Sequence, residues 1–259
     1  MILRDKVIII SGVGPGMGRQ LALLVAAEGA KLAIGARSQD FLESLSRDIK
    51  EAGGEVVAVQ ADVKSPEDCK ELVNAAVKAF GRIDGLVNSA YAMGEFELFD
   101  GGNLDVWRDA MDVTCFGALR VAQAALPYLK KNGGSIVNIG SMVTRKPLAY
   151  QAPYQIGKAA LQAASKQLAV ELGQFNIRVN TTIIGWMWGP SVEGFFKTQE
   201  KETGASVDDQ IKAVASNIPL GQIPTDQECA RAVLFFLSDY SGVVTGATLD
   251  VNGGEIVAP

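Results

Sequence analysis

The stretch SGVGPGMGRQLALL, Ser11 to Leu24, decides how the chain is read. It follows the short β-branched run KVIIIS and opens a helix-spaced segment that reaches Glu28. Gly12, Gly16 and Gly18 stand where a backbone must turn tightly from strand to helix and approach a ligand closely. Unpaired amides at a helix start, helped by the positive end of the helix dipole, favour a diphosphate. At the end of a first strand such a turn predicts a dinucleotide site; the competing reading is a plain flexible connection.

Working outward, short β-branched runs alternate with longer amphipathic segments. KLAIG, EVVAVQ, GLVNS, GSIVNIGS, IRVNTTII and ATLDVNGG read as strands, with FLESLSRDIKEAG, CKELVNAAVKAF, ALQAASKQLAVELGQ and QECARAVLFFLSD as helices between them. Continuous apolar strands in such an alternation predict a parallel sheet covered on both faces, a doubly wound α/β fold. No repeat or linker divides residues 1–259, so one domain is expected. Residues 186–217 break the rhythm between the sixth strand and the last helix. Ligands of open α/β sheets bind outside the carboxyl ends of strands, which makes this segment the expected substrate lid.

The composition, 48% hydrophobic and 20% charged over 259 residues, is that of a globular protein with a sizeable core. A net charge of −5 argues against a nucleic-acid surface. The apolar run in MILRDKVIII is too short for a signal or spanning segment, and a cytoplasmic location away from membranes is expected. Cys69, Cys115 and Cys229 lack metal or redox spacing and read as buried free thiols. The sequence contains no histidine, which argues against a catalytic zinc or non-haem iron centre, and no metal is expected.

Without histidine, proton transfer near neutral pH needs another group. In YQIGK, Tyr154 and Lys158 are four residues apart, one helical turn, and share a face if the helix begins near Ala152. A fixed ammonium lowers a phenol's pKa, so the spacing predicts a tyrosine acid-base tuned by lysine, whose amine also reaches a ribose hydroxyl. Ser141, at the end of SIVNIGS, is placed to hold a carbonyl oxygen against Tyr154. At the end of the second strand, LAIGARSQD has Ala36 where an acidic residue would take the ribose of NAD. Arg37 and Ser38 suit a 2′-phosphate instead, so NADP is the preferred cofactor and NAD a possible one. The other reading of Arg37 is a solvated loop cation.

Taken together, SGVGPGMG, ADV at Asp62 and Val63, NSA from Asn88, Ser141, Tyr154 with Lys158, and the ending VTGATLDVNGG resemble the short-chain dehydrogenase/reductase family over the whole chain. The resemblance implies a Rossmann-type domain and hydride transfer between nicotinamide and a secondary alcohol or ketone. Tyr154 would be the proton donor or acceptor and Ser141 the group polarising the oxygen. It implies cofactor contacts from Ser11, Gly12, Gly16, Met17, Gly18, Arg37, Ser38, Asp62, Val63, Asn88, Ala90, Tyr154, Lys158, Gly185 and Met187. It also implies a homotetramer or homodimer built through helices around residues 103–126 and 152–172.

Several positions depart from the family pattern. Thr114 stands in place of an asparagine whose backbone carbonyl helps hold a water of the proton relay; because a backbone group makes that contact, a threonine can substitute, and the resemblance puts Thr114 with Ser141, Tyr154 and Lys158 as a catalytic residue. Ser89 and Tyr91 replace an asparagine and a glycine, and Tyr91 is expected to project toward substrate. Ile184 and Gly189 replace a proline and a threonine, while Gly185 is kept. Trp186, Met187, Trp188, Phe195 and Phe196 cluster at the lid. With Tyr91 and Met142 they predict a pocket for a bulky apolar or aromatic substrate; the alternative is that they pack the lid or a subunit interface. Arg145 and Lys146 are the only nearby cations. Reduction of a C=C bond would usually bring a different Tyr-to-Lys spacing. A third reading is a non-catalytic, cofactor-binding regulatory protein.

Overall fold

The computed structural model describes residues 1–257, and the alternation of the sequence becomes a single sheet. Among these residues the strands are β1 (Val7–Ser11), β2 (Lys31–Ala36), β3 (Val56–Gln60), β4 (Gly85–Asn88), β5 (Gly134–Ser141), β6 (Ile177–Ile184) and β7 (Thr248–Val251). All pair in parallel, in the order β3-β2-β1-β4-β5-β6-β7. The direction of winding reverses between β1 and β4, which opens a crevice above their carboxyl ends.

Strand periodicity explains why both faces are covered. On β1, Ile8 and Ile10 join a cluster with Leu21 and Val25 of helix α1 (Met17–Ala27), Leu42 and Ile49 of α2 (Gln39–Glu51), and Val233 of α9 (Asp226–Leu237). Val7 and Ile9 point the other way. They meet Leu72 of α3 (Pro66–Phe80), Val121 and Leu129 of α5 (Ala118–Asn132), and Ala169 of α6 (Ala152–Leu172). Each such buried aliphatic side chain contributes about 1.5–3 kcal/mol of transfer free energy. Cys69, Cys115 and Cys229 are buried free thiols, as their spacing implied.

Helix starts follow the sequence closely. Ser38, Ser65, Asn103, Ser206 and Thr225 each accept a first-turn amide, capping α2, α3, α4 (Leu104–Met111), α8 (Val207–Ala215) and α9. In contrast α1, α6 and α7 (Pro190–Thr203) have no side-chain cap. Between α4 and α5 the chain is wound as a π-helical turn, Asp112–Gly117, so the helix expected around residues 103–126 is interrupted where it passes the site.

The break in rhythm at 186–217 is itself helical, formed by α7 and α8. These helices close on a small core of their own, in which Phe196, Ile218 and Ile223 pack with Trp186, Trp188 and Ile211. The base of this hairpin is tied to α9: Trp188 donates its amide to the Pro224 carbonyl at 2.7 Å and accepts from the Asp226 amide at 3.0 Å. No helix among the described residues is long and apolar enough to cross a membrane.

Candidate functional site

The glycine turn lies at the carboxyl end of β1, beside the loop that leaves β4. Gly12 adopts φ +88°, and a Cβ there would stand 2.2 Å from the Ala90 amide nitrogen, so both conformation and contact require glycine. Ser89 and Ala90 donate their amides to the Ser11 carbonyl at 2.8 and 3.1 Å, fixing the two loops side by side. Gly18 packs α1 on Val13, and Met17 is buried beneath the turn. Over Gly14 and Gly16 there is open space, and the uncapped start of α1 carries no acidic residue. An uncapped amide end facing free volume fits a dinucleotide diphosphate.

Further along the crevice, Arg37 is exposed and makes no ion pair among the described residues. Its carbonyl accepts from Gln60 at 2.8 Å, and Ser38 beside it caps α2. A free guanidinium next to a helix N-terminus is an anion site, which fits a 2′-phosphate. Asp62 accepts from the Lys64 amide at 2.9 Å, and Val63 is packed against Gly117 of the π-turn. Asn88 ends β4, almost completely buried, with its Oδ1 unpartnered. A buried amide oxygen without a donor is the kind of group a ligand or water satisfies. Gly185 follows β6, where a Cβ would overlap Asn252, and Met187 packs at the margin of the α1–α9 core.

The chemical centre is carried by β5 and the first turn of α6. Helix α6 begins at Ala152, which meets the condition for Tyr154 and Lys158 to share one face. Ser141 closes β5, and hydrogen bonding from it favours the ionised form of the Tyr154 phenol. Lys158 is 1% exposed and donates its Nζ to the Ile139 carbonyl at 2.6 Å. Its amine lies 5.6 Å from the Tyr154 ring centroid and 5.4 Å from that of Tyr91. The two tyrosine rings meet edge to face, 5.7 Å between centroids.

The electrostatics differ from the sequence-based expectation. Burial pushes the Tyr154 phenol up to about 12, the Ser141 hydrogen bond opposing and Tyr91 adding to the rise. Burial likewise pulls the Lys158 amine down to about 7. Desolvation penalises both charged forms, and the amine lies over the phenol ring with its hydrogen bond directed at a carbonyl. The expected lowering of Tyr154 by its lysine is not found: Ser141 alone opposes burial, and the phenol is held neutral.

Other predicted residues fall as follows. Thr114 is fully buried in the π-turn, and its Oγ1 accepts from the Ala92 amide at 3.1 Å. Met142 is buried beside Gly185. The rings of Trp186 and Trp188 pack on Phe196 at 5.8 and 6.1 Å, in the core of the α7–α8 hairpin, while Phe195 is half exposed. Ile184 is buried at the end of β6, in register with Ser141, and Gly189 precedes α7 next to the Asp226 carboxylate. Arg145 is paired with Asp250 at 3.3 Å, and Lys146 lies 3.9 Å from Glu255.

One group at the site escaped the sequence reading. Asn138, inside β5, accepts from Asn88 at 2.8 Å and donates to Ser165 of α6 at 2.7 Å. Its signal was present: a polar residue inside the apolar run SIVNIGS must find partners when buried.

Known proteins are similar to this chain in sequence and in fold. The family model described as Enoyl-(Acyl carrier protein) reductase matches residues 12–255. The chain is 34% identical to the 3-oxoacyl-[acyl-carrier-protein] reductase of Thermotoga maritima over 258 residues, covering 99% of this chain and 100% of the relative. Its fold superposes on L-sorbose reductase from Gluconobacter frateurii, solved with NADPH and L-sorbose, with a TM-score of 0.94 and 30% identity over 100% of both chains. For NAD+-bound xylitol dehydrogenase the TM-score is 0.89 at 29% identity, over 98% of this chain and 100% of that one. By the span of the family match and the identity to its relatives, the chain belongs to the short-chain dehydrogenase/reductase family of NAD(P)-dependent oxidoreductases.

Proposed function

We propose that this oxidoreductase interconverts a secondary alcohol and its ketone, with NADP(H) preferred over NAD(H) and Tyr154 as the proton-transferring group. The observation that carries the reading is the meeting of Ser141, Tyr154 and Lys158 at the carboxyl ends of the central strands. The nicotinamide supplies or accepts the hydride when it is bound. Ser141 donates a hydrogen bond to the substrate oxygen and holds it against the phenol. A phenol kept neutral by burial is a proton donor at neutral pH, so Tyr154 delivers its proton to the oxygen as an alcohol forms. Lys158, with its amine near 7, would hold ribose hydroxyls and, when protonated, stabilise the phenolate that Tyr154 becomes once its proton has gone to the substrate oxygen.

Arg37 and Ser38 support the NADP preference by the anion site they form, and the NADPH of the L-sorbose reductase structure supports it by kinship. NAD use is supported in the same way by the xylitol dehydrogenase. The α7–α8 hairpin serves as the substrate lid over roughly residues 186–217. The half-exposed ring of Tyr91, Met142 and the outer edges of Trp186 and Trp188 favour a bulky apolar or aromatic substrate. The four-residue Tyr-to-Lys spacing supports C=O over C=C reduction. We place the enzyme in the cytoplasm as a homodimer or homotetramer, with Phe116, Ile156 and Val170 as exposed apolar positions along the π-turn and α6. Titrating the purified protein with NADPH and then NADH, followed by a panel of bulky ketones, tests the reading. Ketone-dependent oxidation of NADPH supports it, and binding without turnover on any ketone or alcohol overturns it.

A further inference from the structure

Two departures from the family pattern, Thr114 and Tyr91, are distant in sequence but joined in space. Ala92 follows Tyr91 directly, and its amide donates to Thr114 Oγ1 at 3.1 Å. Thr114 in turn sits on α6. A Cβ at Gly157 would stand 3.1 Å from Thr114 Cβ, so the glycine of YQIGK leaves the notch in which the threonine fits. The loop is pressed on the same helix a second time. Gly94, at φ +71°, lies over Pro153, where a Cβ would come within 2.7 Å of the ring. Immediately before the first of these fixed points, Tyr91 meets the Tyr154 ring edge to face, and its ring also covers the Lys158 amine.

We infer that Thr114 and Tyr91 form one positioning unit: the Thr114 hydroxyl fixes the backbone of the loop after β4, and Tyr91 thereby buttresses Tyr154. The phenol of Tyr154 meets Ser141 from β5 and its ring meets Tyr91 from the loop, and it is the loop that the Thr114 hydroxyl fixes. A side-chain oxygen fixed by a π-turn is a rigid anchor, because the turn is enclosed by α6 and by Val63 packed on Gly117. A glycine at position 91 would offer no ring to place, and a threonine without the loop amide would leave a buried hydroxyl unmatched. The two substitutions make sense together, the second supplying what the first requires.

The inference rests on Tyr154 being the reacting group, but its test has a readout that needs neither cofactor nor substrate. Protein carrying ring-¹³C tyrosine gives a Tyr154 resonance, assigned by its loss in Tyr154→Phe. Tyr91→Gly removes the neighbouring ring and displaces that resonance. Thr114→Val, which keeps the shape and deletes the acceptor, is expected to displace it in the same direction, and Thr114→Ser to restore it. Ala92→Pro deletes the same hydrogen bond from the donor side, so the comparison survives if Thr114→Val does not fold. The double variant Thr114→Val/Tyr91→Gly is expected to move Tyr154 no further than Tyr91→Gly alone. In turnover, each single change is expected to lower kcat about tenfold with the KM for cofactor held, and the pair to cost no more than the worse single. A Tyr154 resonance indifferent to Thr114→Val and Ala92→Pro, or effects that simply add, overturns the unit. Turnover retained in Tyr154→Phe would instead sink the acid-base assignment and leave the spectroscopic result standing.

Discussion

Asn88 and Asn138 face each other across the β4–β5 register, and the Asn88 amide donates to Asn138 Oδ1 at 2.8 Å. Asn138 passes the connection on to Ser165, whose hydroxyl donates to the Leu161 carbonyl at 2.8 Å. The strand that ends beside the glycine turn is thus tied through the sheet to the helix that carries Tyr154 and Lys158. Asn138→Ala breaks this chain in its middle and leaves the buried Asn88 amide without its partner. An unsatisfied buried amide costs about 1–3 kcal/mol, so we expect a loss of melting temperature of roughly 5 °C by calorimetry. Asn88→Ala/Asn138→Ala, which removes both amides, should be less destabilised than the single change; a double variant that loses more would show that the pair is not mutually dependent.

Much of this arrangement is legible in the order of residues alone. Ile8 and Ile10 on one face of β1 with Val7 and Ile9 on the other make a run that only a doubly covered strand can bury, and the parallel sheet follows. The start of α6 at Ala152 is readable because Tyr154 and Lys158 fit one helical face. What escapes the sequence depends on contacts between segments far apart in the chain. Nothing in DVTCFGA signals a π-turn, since the same residues suit an α-helix, and the Thr114–Ala92 hydrogen bond arises from tertiary placement. The electrostatics are hidden for a related reason: spacing gives proximity of an amine and a phenol, but the depth of burial that lifts one and lowers the other belongs to the assembled fold.

Lys158 carries a cost in stability that its removal should reveal. Its folded pKa of about 7 lies below the unfolded value of 10.5, so below pH 7 the buried amine is charged and the penalty is present in full. Between 7 and 10.5 the unfolded state binds more protons than the folded one, and stability due to this group rises with pH. Lys158→Met should therefore melt several degrees higher than the parent protein at pH 6, with a gap that narrows as pH climbs past 7, and it should have lost turnover. A variant that melts lower at every pH would mean that the hydrogen bond to Ile139 outweighs desolvation.

Arg37 should set the choice between the two nicotinamide cofactors. Its guanidinium is exposed and without an ion pair among the described residues, close to the Ser38-capped start of α2. Arg37→Ala removes a charge-assisted contact available only to a 2′-phosphate, worth about 1.5–3 kcal/mol, and so lowers NADPH affinity roughly tenfold or more. NADH affinity should hardly change. Fluorescence titration of both cofactors measures the ratio, and an equal loss for the two would return Arg37 to the role of a solvated surface cation.

Tyr154→Phe separates binding from chemistry most directly. The ring keeps its edge contact with Tyr91 and its place against Lys158, so the fold and the NADPH titration should be close to those of the parent. Only the transferable proton is lost. A positioned general acid contributes about 10²–10⁴-fold, and kcat should fall by that factor with little change in the KM for cofactor. In the parent enzyme the phenol is held near 12, so the reductive rate should not decline with the ionisation of Tyr154 anywhere near neutral pH. A fall in rate above pH 7 would instead follow the loss of the proton from Lys158, whose charged form disappears as pH rises through about 7. The pH profile of Tyr91→Gly tests both groups at once: opening the phenol and the amine that the ring covers to solvent lowers the pKa of the first and raises that of the second, so the two limbs should move toward each other.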